Sequence, residues 1–206
     1  MKTPIYISTI LVLITFLLAG GNASAAEGKV SFVWGGEWSY VASLSEWQHR
    51  VYIISEGERM TKRGSETKYH TNAEILAYAG AGFGKHFTLA FYSGYSGASD
   101  NLRMVPFTLR GTWRFGEHER KQMPFVYLDC GTGVTLEEKP SACWCSRAGI
   151  GWGIPLSKKS KLDITASFRS IYCHPEFRDD AGRPPIEVRR NNFWRGGLTL
   201  GIGLKF

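Results

Sequence analysis

Apolar and polar residues alternate one by one through much of this sequence. The segment 194–206 at the C-terminus is the clearest case. A repeat of two residues is the period of a β-strand, because successive side chains point to opposite faces. After residue 26, no segment shows the 3.6-residue period of an amphipathic helix. The pattern therefore predicts an all-β fold.

Eight segments carry this alternation, five of them regular and three noisier. In chain order they cover residues 30–40, 73–83, 87–95, 105–115, 125–136, 147–156, 162–172 and 194–206. A tilted strand needs about 9–11 residues to cross a bilayer. These segments are about 9–13 residues long, enough for such a crossing, so each is a candidate membrane-spanning strand.

The two faces of the predicted strands differ in composition. One is apolar, with aromatic residues near the strand ends: Phe32, Trp38, Tyr40, Phe87, Tyr95, Trp113, Phe115, Tyr172 and Trp194. The other is rich in glycine and carries charges: Glu37, Glu74, Arg110, Arg114, Asp129, Arg147, Asp163, Arg169, Arg195 and Lys205. Aromatic girdles around an apolar band and a polar interior are typical of transmembrane β-barrels. A soluble β-sandwich with its polar face in water is the alternative that alternation leaves open.

We expect the charged residues of the second face to form ion pairs that fill the lumen. An eight-stranded barrel is just wide enough for side chains to fill its interior, and buried charges must be paired or hydrated. A polar pore or a ligand pocket is the alternative. The narrow interior argues against a diffusion porin.

The predicted connections differ in length. Longer ones (42–72, 96–103, 137–146 and 173–192) alternate with shorter ones (84–86, 116–123 and 157–161), the middle pair being comparable. Bacterial barrels have long extracellular loops and short periplasmic turns. The sequence thus predicts an up-and-down antiparallel barrel with both termini on the periplasmic side.

The N-terminus has the pattern of a secretory signal peptide. Lys2 precedes an apolar stretch over 5–18, and Ala23-Ser24-Ala25 forms a cleavage site of small residues. We therefore expect a signal peptide over 1–25 and one barrel domain over 26–206.

The C-terminal strand resembles that of bacterial outer-membrane β-barrel proteins, in particular the small eight-stranded members. Leu200, Ile202 and Leu204 alternate with small or polar residues, and the chain ends on Phe206. In that family, this ending is the signal read by the barrel-assembly machinery. The resemblance implies export to the outer membrane of a Gram-negative envelope, among lipids and lipopolysaccharide. We expect a monomer there.

Four cysteines lie in the predicted exported domain, where disulfides are permitted. Cys145 begins the sixth predicted strand and Cys173 follows the seventh, so Cys145–Cys173 is a possible disulfide, and Cys143–Cys173 is an alternative. A metal site formed by the three cysteines and His174 matches no usual zinc spacing. Cys130 lies alone within a strand. We expect no metal and no cofactor.

No sequence motif assigns an activity. A lipid A-modifying or proteolytic barrel would place histidine near serine and carboxylate at its rim, where the candidates are His49, His70, His174, Ser45, Glu46, Glu66 and Glu176. None of them matches a catalytic pattern. The net charge is +7, but the longest loop is nearly charge-balanced, which argues against a nucleic-acid partner. The sequence favours a structural or surface-interaction role, with a barrel enzyme or a small-solute channel as alternatives.

Overall fold

The computed structural model describes residues 30–53, 57–97, 102–116, 122–137, 140–157, 160–174 and 186–206. The strands in these ranges are β1 (Val30–Ile53), β2 (Arg59–Glu66), β3 (His70–Phe83), β4 (Phe87–Gly97), β5 (Arg103–Arg114), β6 (Met123–Thr135), β7 (Ala142–Pro155), β8 (Lys161–Cys173) and β9 (Glu187–Lys205). The described ranges contain no helix with the length and apolarity needed to cross a membrane. The predicted signal peptide lies outside them.

Eight of these strands close into a barrel. β1 pairs with β3, and each strand from β3 to β9 pairs antiparallel with the next. The ring is completed by β1 and β9, which pair from Gly35↔Lys205 onward. Closure leaves no open sheet edge in the wall. The predicted eight-stranded antiparallel barrel is confirmed.

The predicted long loops are partly strand. β1 continues to Ile53 and pairs with β2, from Glu46↔Glu66 to Ile53↔Arg59. On its other edge, the same part of β1 pairs with β9 up to Glu187. Residues 46–53, 59–66 and 187–195 thus form a three-stranded sheet that continues past the end of β3, here called the extension. The prediction of loops at 42–72 and 173–192 was wrong for these residues, because both faces of the extension carry polar side chains and show no alternation.

A bulge at Leu44 separates the barrel part of β1 from its part in the extension. The register with β9 shifts between Ser43 and Ser45. An extra residue exchanges the two faces of a strand. Before the bulge the odd-numbered Glu37 and Ser39 are buried, and after it the even-numbered Glu46 and Gln48 are buried.

The two faces of the wall meet different surroundings. Outward-facing apolar side chains are exposed: the exposed fractions of Phe32, Ile150 and Leu200 are 74%, 64% and 61%. Such an apolar outer band is typical of a barrel that lies in lipid. The buried side chains are in the lumen, and that is where the fold gathers its charged groups.

Candidate functional site

Six charged side chains meet in the lumen, and none is more than 6% exposed. They are three arginines and three carboxylates, here called the central cluster: Arg110, Arg147, Arg169, Glu37, Glu74 and Asp129. Equal numbers of opposite charges leave the cluster formally neutral. Neutral pairing is what the low dielectric of a buried site requires.

One half of the central cluster follows the wall from β5 to β8. Arg110 is the cross-strand partner of Asp129, and Asp129 is the partner of Arg147. Arg110 holds Asp129 with two parallel hydrogen bonds, of 2.6 and 2.8 Å. Arg147 is itself opposite Arg169, and like charges in that position repel unless a carboxylate joins them.

The other half crosses the lumen from the opposite wall. Glu37 on β1 lies 2.5 Å from Arg110 and 3.0 Å from Arg147. Glu74 on β3 lies 2.9 Å from Arg147 and 3.6 Å from Arg169, which relieves the repulsion between those arginines. The two glutamates therefore connect distant walls of the barrel through its interior.

Aromatic rings fix the guanidinium group of Arg110. It stacks on Tyr92 at 4.0 Å and on Tyr127 at 4.2 Å from the ring centroids. A side chain on Gly149, the cross-strand partner of Tyr127, would put its Cβ 2.8 Å from the ring. The glycine makes room for the tyrosine that holds Arg110. These tyrosines lie on the predicted charged face. The sequence pattern did not predict their role, because it indicated aromatic residues only for the girdles of the apolar face.

Two further ion pairs lie on either side of the central cluster. Away from the extension, Arg114 donates to Asp163 at 2.8 Å, and its guanidinium lies 4.7 Å from the Phe125 ring. Toward the extension, Arg195 donates to Glu46. Sequence analysis placed Glu46 in a loop, because the bulge that turns its side chain inward has no signature in the alternation.

Two small cavities lie next to the central cluster in the described part of the chain. A cavity of about 20 Å³ lies between the cluster and the Arg114–Asp163 pair, and Lys205 is among its lining residues. A second cavity of about 10 Å³ lies between the cluster and Cys145. Each has room for about one water molecule.

Apolar side chains cover the central cluster on the side of the extension. They form a buried group, here called the cap: Leu102, Met104, Cys143, Cys145, Ile171, Cys173 and Phe193. Cys145 lies opposite Ile171, not opposite Cys173. All four cysteines, including the half-buried Cys130, are free thiols in this structure, so it does not contain the predicted Cys145–Cys173 bond. Within the described ranges, no group of three or more histidine, cysteine or acidic residues is arranged to hold a metal ion.

The candidate rim residues do not form one group in the described part of the chain. His49 and Glu46 point to opposite faces of β1, and Glu46 is bound by Arg195. Glu66 is bound by Lys68 at 3.0 Å on the exposed β2 side, and this hydrogen bond lowers the pKa of Glu66 and raises that of Lys68.

The remaining rim histidines lie elsewhere. His70 begins β3 opposite Ser43, and His174 Nδ1 contacts the backbone carbonyl of Asn191. Glu176 lies outside the described residues.

The C-terminal residues lie in the wall beside β1. Leu200, Ile202 and Leu204 point outward and are 61%, 49% and 42% exposed. Phe206 stacks on Trp34 with ring centroids 4.7 Å apart, and their backbones exchange two hydrogen bonds. The last residue therefore completes the seam between the first and last strands.

Comparison with solved structures bears on the fold. Outer membrane protein OprG from Pseudomonas aeruginosa is similar over 85% of this chain and 95% of its own, with 10% identity and a TM-score of 0.54. This is the fold of the small outer-membrane β-barrels. Neisserial surface protein A is also similar, over 86% of this chain and 99% of its own, with 13% identity and a TM-score of 0.42. No protein-family model and no curated protein matches the chain.

Proposed function

We propose that the chain is an outer-membrane barrel with a sealed lumen, which acts as a structural or surface-interaction protein through its extracellular face. The central cluster carries this proposal. Its glutamates reach from β1 and β3 to arginines on β5, β7 and β8, so ion pairs cross the lumen from wall to wall. The cap and the Arg114–Asp163 pair fill the lumen on either side of it.

Planar-bilayer recording tests the sealed lumen. We expect the purified protein to give no resolved conductance steps under conditions in which a general porin does. An eight-stranded barrel has space inside for side chains or one small ligand, and here charged side chains take that space. Reproducible steps that scale with salt concentration would show that the lumen conducts, and would favour the small-solute channel.

The extension is the surface that we propose for interaction. Its rows of cross-strand partners place Trp47 beside Trp194, and Arg63 beside His49 in the next row on the same face. Tryptophan is enriched at membrane–water interfaces. A residue two positions further along a strand lies about 7 Å higher, which supports a position for Arg63 near the lipid headgroups.

Charge complementarity favours anionic groups of the outer leaflet as the partner. Exposed basic side chains of the extension outnumber acidic ones: Arg59, Lys62, Arg63, Arg189 and Arg190 against Glu66 and Glu187. Glu187 is already bound by Arg189, and Glu66 by Lys68. The phosphates of lipid A are suitable partners, because guanidinium groups bind phosphate with paired, charge-assisted hydrogen bonds.

A charge reversal tests this partner. We expect Arg63→Glu to weaken binding of lipid A to the detergent-solubilised protein by roughly thirtyfold, since each charge near an anionic surface contributes about 1 kcal/mol and the reversal changes the charge by two units. Lys85→Glu, in the exposed turn at the opposite end of the barrel, is the matched control and should leave affinity unchanged. Equal binding of lipid A and its dephosphorylated form would contradict the proposal.

A further inference from the structure

We propose that Cys143 and Cys173 form a disulfide that ties the outer ends of β7 and β8 together. The inference rests on the proposed outer-membrane location, because it needs an oxidising compartment. Of the two pairings that the sequence left open, it selects Cys143–Cys173 over Cys145–Cys173.

Strand register places the two residues opposite each other. β7 and β8 are antiparallel, and Trp144 is the partner of Tyr172. The ladder ends at this pair, and continuing its register by one residue puts Cys143 opposite Cys173. Partners in an antiparallel pair have Cα atoms about 4.5–5.5 Å apart, within the range of about 4.4–6.8 Å that a disulfide spans.

The same register argues against a disulfide between Cys145 and Cys173. Cys145 is the partner of Ile171, so its relation to Cys173 is diagonal. Diagonal neighbours lie about 7–8 Å apart, too far for a bond without backbone movement. Cys145 is therefore expected to stay a thiol beneath the disulfide.

The two thiols already touch. Cys143 and Cys173 share a side-chain hydrogen bond, and they are 2% and 0% exposed within the cap. Both side chains point inward, with Met104 and Phe193 in the same group. Forming the bond there requires a short approach of two sulfur atoms and no exchange of strand partners.

The reaction is a two-electron oxidation. The two S–H bonds break, one S–S bond forms, and two protons and two electrons leave. The electrons pass to a thiol–disulfide oxidant of the exported compartment, whose own disulfide is reduced to two thiols. Once formed, the bond links the start of β7 to the end of β8. It also holds two residues of the cap in place next to the central cluster.

Counting reactive thiols tests the pairing. The full chain is expressed with its own leader, isolated from the outer-membrane fraction without reductant, denatured, and treated with a polymer-linked maleimide. We expect two adducts before reduction, on Cys130 and Cys145, and four after reduction. Cys145→Ala should give one and three. Cys143→Ala should give three in both conditions.

Mass spectrometry supplies a readout that does not depend on the folding of variants. Chymotryptic cleavage after Trp144 separates Cys143 from Cys145, so the peptide linked to Cys173 identifies the partner. Four adducts before reduction in protein from the outer-membrane fraction, or a linkage through Cys145, would overturn the pairing. Absence of the protein from that fraction would instead contradict the proposed location.

Discussion

At the scale of single residues, Arg147 is the arginine that links the three carboxylates of the central cluster. Its guanidinium lies 3.0, 2.9 and 3.0 Å from the carboxylates of Glu37, Glu74 and Asp129. All four side chains are buried. Each carboxylate has a second arginine as neighbour, but Arg147 alone contacts all three within the described residues.

Removing this charge should therefore be costly. We expect Arg147→Met to lower the free energy of unfolding by about 3–5 kcal/mol, because breaking a buried ion pair leaves its partner charges uncompensated. Urea titration of the protein in detergent micelles, followed by tryptophan fluorescence, measures the change. Arg189→Met is the control, since Arg189 is exposed and forms a surface ion pair with Glu187; it should shift stability by no more than about 0.5 kcal/mol. Similar losses for both variants would show that the cluster does not hold the barrel.

At the scale of elements, the sequence predicted the eight barrel strands because each has an apolar outer face and a polar face toward the lumen. Where a strand such as the end of β1 carries polar side chains on both faces, the alternation disappears, and the sequence predicted a loop in place of the extension. The bulge at Leu44 has no signal in hydrophobic pattern, so the inward turn of Glu46 was not foreseen. Its partner Arg195 was placed on the charged face from its own position in the alternation.

In the candidate site, the alternation predicted which residues face the lumen but not which of them pair. Alternation selected residues that the structure brings together in the lumen, including Glu37 and Arg110. It could not give the pairing, since contacts across a barrel depend on register and tilt. The cysteines show the limit: position along the chain left Cys145–Cys173 and Cys143–Cys173 both open, whereas strand register pairs Cys145 with Ile171 and so favours Cys143 as the partner of Cys173.

At the scale of the whole molecule, the proposal fixes an orientation in the membrane. The extension should face the outside of the cell, and the turn between β3 and β4 should face the periplasm. Thr61 on β2 and Lys85 in that turn are both exposed. Single cysteines at these positions therefore report opposite sides of the membrane.

We expect Thr61→Cys to be labelled on intact cells by a polymer-linked maleimide too large to cross the outer membrane. Lys85→Cys should be labelled only after that membrane is broken. The unmodified chain is the control for the native cysteines. Labelling of Lys85→Cys on intact cells, with Thr61→Cys protected, would mean that the barrel is inserted the other way round.

The crossing of the lumen by Glu37 has a consequence for how the barrel is made. Glu37 belongs to the first strand, while its arginines belong to β5 and β7. An uncurled sheet holds these groups apart, and each ion without a partner in an apolar medium costs several kcal/mol. The interior is therefore fully neutralised only when the ring closes. We expect partly curled intermediates to lie high in free energy and assembly to be cooperative.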